Sequence, residues 1–430
     1  MHDIDRKSEV QAFFIQLKDY ILKNQIGTLI VSGDIFDTAN PSSDARRLYY
    51  KFLSSLANSC CRNIIITGGN HDSALTLECS KELLEVMNIH VVGSINNLQP
   101  DDMVFELAGK DGNAEGICIA LPFVRELELR NLLTTTTLSE NGEDKIEKKV
   151  EDKDLFSVAY KKLYDSLYQA ALKLREKLNI PIIATGHLYA ADLEGRLSTS
   201  SSSLKTDDGV KVLDVLGTLG NVPPSVFPPV DYVALGHIHY STMVAKNPAV
   251  RYSGSPFVMG FDEAKIPHYF LDVEISAEAS KTNASKLCVE KVEVEQVDDF
   301  QRISGPLAQI KQELEKIAAS KIQKTTYLEL AYKREFGVNV QDFLDEAIKQ
   351  LPQNVIVVSW KILESGNAVF GSLNSDYDAS EIKNLEDTEI FTQLILSKTG
   401  LEPQSEEAKQ VLEKFLPVFM QVSQNVPDSE

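Results

Sequence analysis

Positive charge is scarce in this sequence: 43 Lys and Arg stand against 63 Asp and Glu, a net charge of −20 at pH 7. Affinity for nucleic-acid phosphate rests largely on Lys and Arg displacing counterions. The balance therefore counts against a free-standing polycationic binder, and any role on DNA needs metal ions, local patches or a partner to supply the positive field. Apolar runs long enough to cross a bilayer are missing, as is the basic-then-apolar layout of a secretion signal, so a cytoplasmic location and no membrane partner are expected. The five cysteines, Cys60, Cys61, Cys79, Cys118 and Cys288, form no C-x-x-C pair. That excludes the usual disulfide framework and thiolate zinc site, and they read as reduced thiols. No G-x-x-x-x-G-K-[ST] loop occurs, which excludes a P-loop ATPase.

What is present is ordinary globular material. Hydrophobic residues make up 43% and charged residues 25% of the 430, and that length calls for more than one domain. From Lys7, apolar residues Val10, Phe13, Phe14, Leu17 and Ile21 fall three or four apart and predict a helix that stops near Gly27. A β-rich run, Thr28 to Ser32, leads into Gly33-Asp34. Leu48, Tyr49, Phe52, Leu53 and Leu56 predict a second helix, and Asn63 to Thr67 a second strand that runs into Gly68-Gly69-Asn70-His71-Asp72. This alternation is the mark of an α/β fold.

Further along, the polar stretch from Thr134 to Asp154 reads as a solvated excursion, followed by a long helix with Leu155, Val158, Leu163, Leu167 and Leu174 among its apolar positions. Pro181–Thr185 and Asp231–Leu235 read as strands, and the Ser-rich run 198–203 as a flexible loop. After Pro267 the texture changes. Strand-like runs 268–275, 286–294, 326–331 and 355–362 interleave with helical patterns at 307–319 and 340–351. Two amphipathic patterns, 388–397 and 406–422, close the chain; they either pack on the body or dock a partner.

The chemistry lies in a fourfold recurrence. A short apolar run ends in Gly, and metal-type ligands follow at once: Gly33-Asp34, Gly69-Asn70-His71-Asp72, Gly186-His187 and Gly236-His237-Ile238-His239. In open α/β sheets, sites gather at the carboxyl ends of strands. His237 and His239, two apart in an extended segment, project to one side. Each piece alone is common: a Gly-Asp is usually a turn, and a lone buried His is usually a satisfied core residue. Four together at strand ends are not what packing alone demands. Mixed oxygen and imidazole ligands suit Mn²⁺, Fe or Zn²⁺ better than Ca²⁺. Two such ions about 3.5–4 Å apart can clamp a phosphoryl group and activate water. A carboxylate such as Asp34 is suited to bridge them, and an imidazole such as His71 to protonate the leaving oxygen.

The motifs G-D-x-x-D, G-N-H-D, G-H and G-H-x-H resemble those of the calcineurin-like metallophosphoesterases. Three longer segments resemble a nuclease branch of that family: Ser32 to Ser43, Phe227 to His239, and Tyr252-Ser253-Gly254-Ser255-Pro256 to Phe261-Asp262-Glu263-Ala264. The resemblance implies a metallophosphoesterase β-sandwich flanked by helices (residues 1–266), a small α+β capping domain that meets DNA (267–370), and a C-terminal, partner-binding helix pair (371–430). It implies Asp34 as the bridging ligand, Asn70, His187 and His237 on one metal, His239 on the other, and His71 as the catalytic imidazole. Asp37 and Asp72 match no family ligand firmly and read as supporting or turn residues. The implied cofactors are two divalent ions, Mn²⁺ above all. The implied activity is double-strand exonuclease and single-strand endonuclease cleavage of DNA in repair, recombination and replication. The implied assembly is a homodimer within a heterotetramer that includes an ATPase subunit.

One family motif, D-x-H at the end of a first strand, is missing, and His2-Asp3 does not replace it. The expectation is a natural start upstream of Met1, with an impaired copy as the alternative; the second ion would otherwise keep only Asp34 and His239. A small-ester phosphoesterase and a non-catalytic scaffold are the competing functions. Several other features read as bland: His90 and His268 as structural, Asn283-Ala284-Ser285 as an unused glycosylation acceptor, and Trp360 as a core residue rather than a base-stacking platform.

Overall fold

The computed structural model describes residues 4–137, 155–176, 178–190, 222–276, 286–333, 339–363, 392, 409 and 411–415. The Ser-rich run, the Asn-Ala-Ser site and most of both C-terminal helical patterns lie outside the described residues, as do His2 and Asp3. Among the described residues, no helix is long and apolar enough to cross a membrane.

The chain opens with α1 (Lys7–Asn24), β1 (Thr28–Ser32), α2 (Ser43–Leu56) and β2 (Asn63–Thr67). The short helices α3 (Ala74–Glu78) and α4 (Lys81–Glu85) precede β3 (Ile89–Val92). Strands β1, β2 and β3 form one parallel sheet in that order. All five β2 residues are buried, as a continuous β-branched run in the middle of a parallel sheet should be. Helix α2 starts at Ser42, whose side chain accepts from the Ala45 N–H at 3.1 Å, a cap worth about 1 kcal/mol. It buries Tyr49, Phe52, Leu53 and Leu56, and Phe52 stacks on Phe14 of α1 at 4.3 Å between ring centroids. Helix α1 ends three residues before Gly27, because Gln25 itself takes the left-handed conformation, at φ 56°.

A second sheet has six strands: β4 (Val104–Ala108), β5 (Ala114–Ile119), β6 (Ile182–His187), β7 (Tyr232–Gly236), β8 (Thr242–Val244) and β9 (Asn247–Tyr252). Their order is β4-β5-β6-β7-β9-β8, with β5, β6, β7 and β9 parallel and the two outer pairs antiparallel. Strand β1 lies against β6 and β7, and β2 against β6, so the two sheets form the sandwich that the family resemblance implies.

Helix α5 (Glu126–Thr137) takes up the first residues of the stretch expected to be a solvated excursion. Helix α6 (Leu155–Arg175) covers the six-stranded sheet with Leu155, Tyr160, Leu163, Tyr164 and Leu167. Val158 and Leu174, expected on its apolar face, are partly exposed; the tyrosines fill that role. The Tyr164 hydroxyl donates to the Thr185 carbonyl at 2.8 Å.

The hairpin β10 (Tyr269–Ser276) and β11 (Lys286–Glu293) is antiparallel. Strands β12 (Asp299–Gly305), β13 (Thr326–Lys333) and β14 (Val355–Leu363) form a third sheet in chain order, and the helices among them are α7 (Leu307–Ala319) and α8 (Val340–Lys349). One compact unit comprises residues 1–302, 319–329 and 351–359; the other comprises 303–318, 330–350 and 360–430. In the second unit Leu307, Ile310 and Leu314 of α7 and Leu344 and Ala347 of α8 are buried. Trp360 is not the core residue expected: it is 40% exposed, with Tyr332 edge-on at 6.5 Å. A period-2 strand sends alternate residues outward, and Trp360 falls on the outward set with Ile356 and Ile362.

Candidate metal centre

Four chain segments bring their ligands to the carboxyl ends of β1, β2, β6 and β7. The register β6–β7 pairs His187 with Gly236, which sets the His187 and His237 side chains beside each other; their rings meet edge to face at 5.2 Å. The opposing sheet supplies Asp34 just past β1 and Asn70 just past β2. Two glycines permit this approach. Gly33 sits at φ +86°, where a Cβ would lie 2.0 Å from His187 Nδ1, and at Gly236 a Cβ would lie 1.7 Å from the Ser32 carbonyl oxygen. Both positions exclude any side chain.

His187 is the hub and is 1% exposed. Its Nδ1 lies 2.9 Å from the Ser32 carbonyl oxygen, which can only accept, so Nδ1 carries the proton and neutral His187 presents a lone pair at Nε2. Around that nitrogen stand two further acceptors, Asn70 Oδ1 at 2.9 Å and Asp34 Oδ2 at 3.2 Å. His237 Nδ1 lies 3.2 Å from the same Asn70 oxygen. Ligand atoms of Asp34, His187 and His237 all fall within 4.8 Å of one another. Converging lone pairs repel unless a proton or a cation lies among them. Carboxylate, amide oxygen and imidazole together form a hard-to-borderline set suited to a divalent transition ion, so the residues fit the cation that the motifs imply.

The electrostatics agree. Burial by itself pushes the Asp34 carboxyl up; a His187 that carries a second proton, at Nε2, bonds to Asp34 and places charge beside it, and with the His71 N–H outweighs burial and holds Asp34 below the usual carboxylate range, so a cation facing neutral His187 takes the place of that proton. Burial, with His187 alongside, pushes His237 down to about 4, which keeps it neutral and able to ligate near neutral pH.

His71 and His239 stand differently. The His71 backbone N–H donates to Asp34 Oδ1 at 3.0 Å, and its Nδ1 lies 3.0 Å from the Asp37 carbonyl oxygen. The ring is exposed and its Nε2 is not tied by that contact. The His239 side chain is 43% exposed and contacts Glu263 at 2.9 Å rather than the Asp34–His187–His237 group. The negative charge of Asp34 still reaches it.

Two acids have structural roles: one expected as a supporting or turn residue, the other left unassigned by residue patterns. Asp72, 4% exposed, accepts from the Gly69 and Ile35 N–H groups with one oxygen and from Phe36 with the other, at 2.9 to 3.0 Å. It clasps the Asp34 loop to the Asn70 loop. Glu263 is the second; the one signal for it was its place in the Phe261-Asp262-Glu263-Ala264 segment. Tyr252, from the same region, fixes the chain just past His187: its hydroxyl donates to the Leu188 carbonyl and accepts from the Ala190 N–H, at 2.8 and 2.7 Å.

Comparison with known proteins agrees with this architecture. The calcineurin-like phosphoesterase family model matches residues 2–241. The SbcD subunit of nuclease SbcCD from Escherichia coli K12 is 32% identical over 355 residues, covering 82% of this chain and 80% of that protein. The SbcD proteins of Rhodobacter capsulatus and Bacillus subtilis are 30% and 28% identical, over 61% and 60% of this chain and 60% and 59% of their own lengths. The chain therefore belongs to the calcineurin-like phosphoesterase family and stands within it beside the SbcD proteins.

Proposed function

We propose that this protein is the metal-dependent nuclease subunit of a DNA-processing complex, cutting duplex ends exonucleolytically and single strands endonucleolytically. It acts in the cytoplasm, in repair, recombination and replication, as a homodimer with an SbcC-like ATPase subunit. The observation that carries the reading is the His187 Nε2 lone pair facing Asn70 Oδ1 and Asp34 Oδ2, in a chain aligned over most of its length with a nuclease subunit.

In this reading Asp34, Asn70, His187 and His237 would hold one ion, and Asp34 and His239 would contribute to a second, with Mn²⁺ as the ion in both places. Bound divalent ions supply Lewis-acid stabilisation of phosphoryl charge and a nucleophilic water at neutral pH. The chain does the rest. Asp34 is held ionised and its Oδ1 is oriented by the His71 N–H. The His71 ring, braced at Nδ1 against the Asp37 carbonyl, offers Nε2 as the proton donor to the leaving oxygen. Residues 267–370 form the capping module that meets DNA, and 371–430 dock the ATPase partner. The net charge of −20 fits a subunit whose partner carries much of the DNA contact.

The test compares linear duplex DNA, single-stranded DNA and a chromogenic phosphodiester as substrates for the purified chain in Mn²⁺. Cleavage of both DNAs that EDTA and Asp34→Asn abolish is the expected result. Turnover of the small ester alone favours a small-substrate hydrolase. An absence of turnover with less than one Mn²⁺ bound per chain favours a scaffold.

A further inference from the structure

The geometry points to Glu263 as the positioning residue for the second cation: it fixes the His239 imidazole with Nδ1–H engaged and Nε2 presented as the ligand. The inference rests on the metal-dependent reading above and gives a role to an acid that the ligand motifs pass over.

A carboxylate is costly to bury without compensation, yet Glu263 is 5% exposed. One oxygen lies 2.9 Å from His239 Nδ1 and the other accepts from the Met259 N–H at 2.8 Å. Among the described residues its ion-pair partner is His239. Since a carboxylate accepts only, it sets the proton of a neutral His239 on Nδ1 and leaves the lone pair on Nε2, the nitrogen remote from Glu263. Metal-bound histidines characteristically make this bond through their other ring nitrogen.

The surroundings hold Glu263 rigid. Val258 and Phe261, which precede it, are buried, at 4% each, and the Phe261 ring meets Phe300 at 6.0 Å. The turn is closed by the Glu263 N–H to Gly260 and by the Ile266 N–H to Glu263, at 3.0 and 2.8 Å. The backbone of His239 is tied to the same stretch through the Ser255 N–H, at 3.0 Å. A half-exposed imidazole is thus held by a buried acid on an anchored turn. A surface histidine with no ligand role does not need such a support.

The test uses the full chain and two readouts. Nitrogen-15 NMR of histidine-labelled, metal-free protein, with the His239 signal identified by its loss in His239→Gln, reports the tautomer. Calorimetric Mn²⁺ titration reports affinity, and a thermal melt confirms folding. We expect Nδ1–H in the wild type. Glu263→Ala should lose the fixed tautomer and bind the weaker Mn²⁺ ion about 10- to 100-fold less tightly, with the tighter ion unaffected. Glu263→Gln has one oxygen for two N–H donors; with that oxygen on the fixed Met259 N–H, its NH2 faces Nδ1 and should reverse the tautomer and weaken the same Mn²⁺ ion. An Nε2–H tautomer in the wild type, or wild-type Mn²⁺ affinity in folded Glu263→Ala, overturns the inference and leaves the proposed function standing. A wild-type chain that takes up no Mn²⁺ overturns both.

Discussion

The two halves of the pocket are built by opposite means. Asn70, His187 and His237 sit at strand ends inside the sandwich, where sheet register and two obligatory glycines fix their separations. His239 stands three residues beyond the strand end, with a side chain 43% exposed, and is fixed by a bond to one buried glutamate. The first half inherits its geometry from the core; the second borrows it from a turn some twenty residues downstream. Rigid elements give tighter site geometry than loops do, and a loop-borne ligand needs a dedicated support. Substitutions should therefore damage the halves differently, through stability in the first and through cation affinity in the second.

The largest effect should come from Asp34, proposed to serve both halves. Asp34→Asn removes the only carboxylate among the proposed ligands and should lower Mn²⁺-dependent phosphodiester cleavage by about a thousandfold, roughly 4 kcal/mol of transition-state stabilisation. Steady-state rates on duplex DNA and on a chromogenic diester should fall together. Loss on DNA alone would move Asp34 from chemistry to substrate contact.

Next comes the register of the first half. Gly236→Ala places a methyl 1.7 Å from the Ser32 carbonyl oxygen, a backbone clash that no rotamer relieves. It should cost about 3 kcal/mol or more, read as a lowered urea midpoint. Asp72→Asn should cost about 2 kcal/mol, because an amide cannot accept from all three N–H groups that the carboxylate satisfies. A midpoint unchanged by Asp72→Asn would show that the two loops hold together without the clasp.

The same contrast explains what residue patterns could reveal. Strands β1 and β2 are found with the bounds that Thr28–Ser32 and Asn63–Thr67 suggest, since short, mostly β-branched runs that end in glycine have few alternative conformations. Strands β4 and β9 escaped notice. Glu106 interrupts the first and Asn247-Pro248 opens the second, so neither shows a clean period. Helices α3 and α4, five residues each, are shorter than any periodic pattern can report. The proposed ligands were legible because each follows a strand-ending glycine, which is a local signal. Glu263 was not, because an acid in a turn gains its role only from what folding sets beside it; Asp72 was legible as a supporting or turn residue, but not the three N–H groups it would hold. Trp360 misled for a related reason: an aromatic in a strand reads as core only if its face is known, and β14 turns that face outward.

A histidine outside both halves sets the zero of the comparison. His90 lies on β3, stacked on Phe105 at 4.3 Å, with Nε2 bonded to Asn88 at 2.9 Å. Burial pushes its pKa below the ordinary imidazole value. The folded state therefore resists protonation that the unfolded chain accepts, so this residue's contribution is complete above the ordinary imidazole range and is lost as the pH falls through it. His90→Phe keeps the stacking and removes the titration. It should leave metal affinity and cleavage at wild-type levels while flattening the decline of the urea midpoint between pH 7 and pH 5. If that substitution also weakened Mn²⁺ binding, the pocket would depend on the whole three-stranded sheet, and the division into a core-built half and a turn-built half would fail.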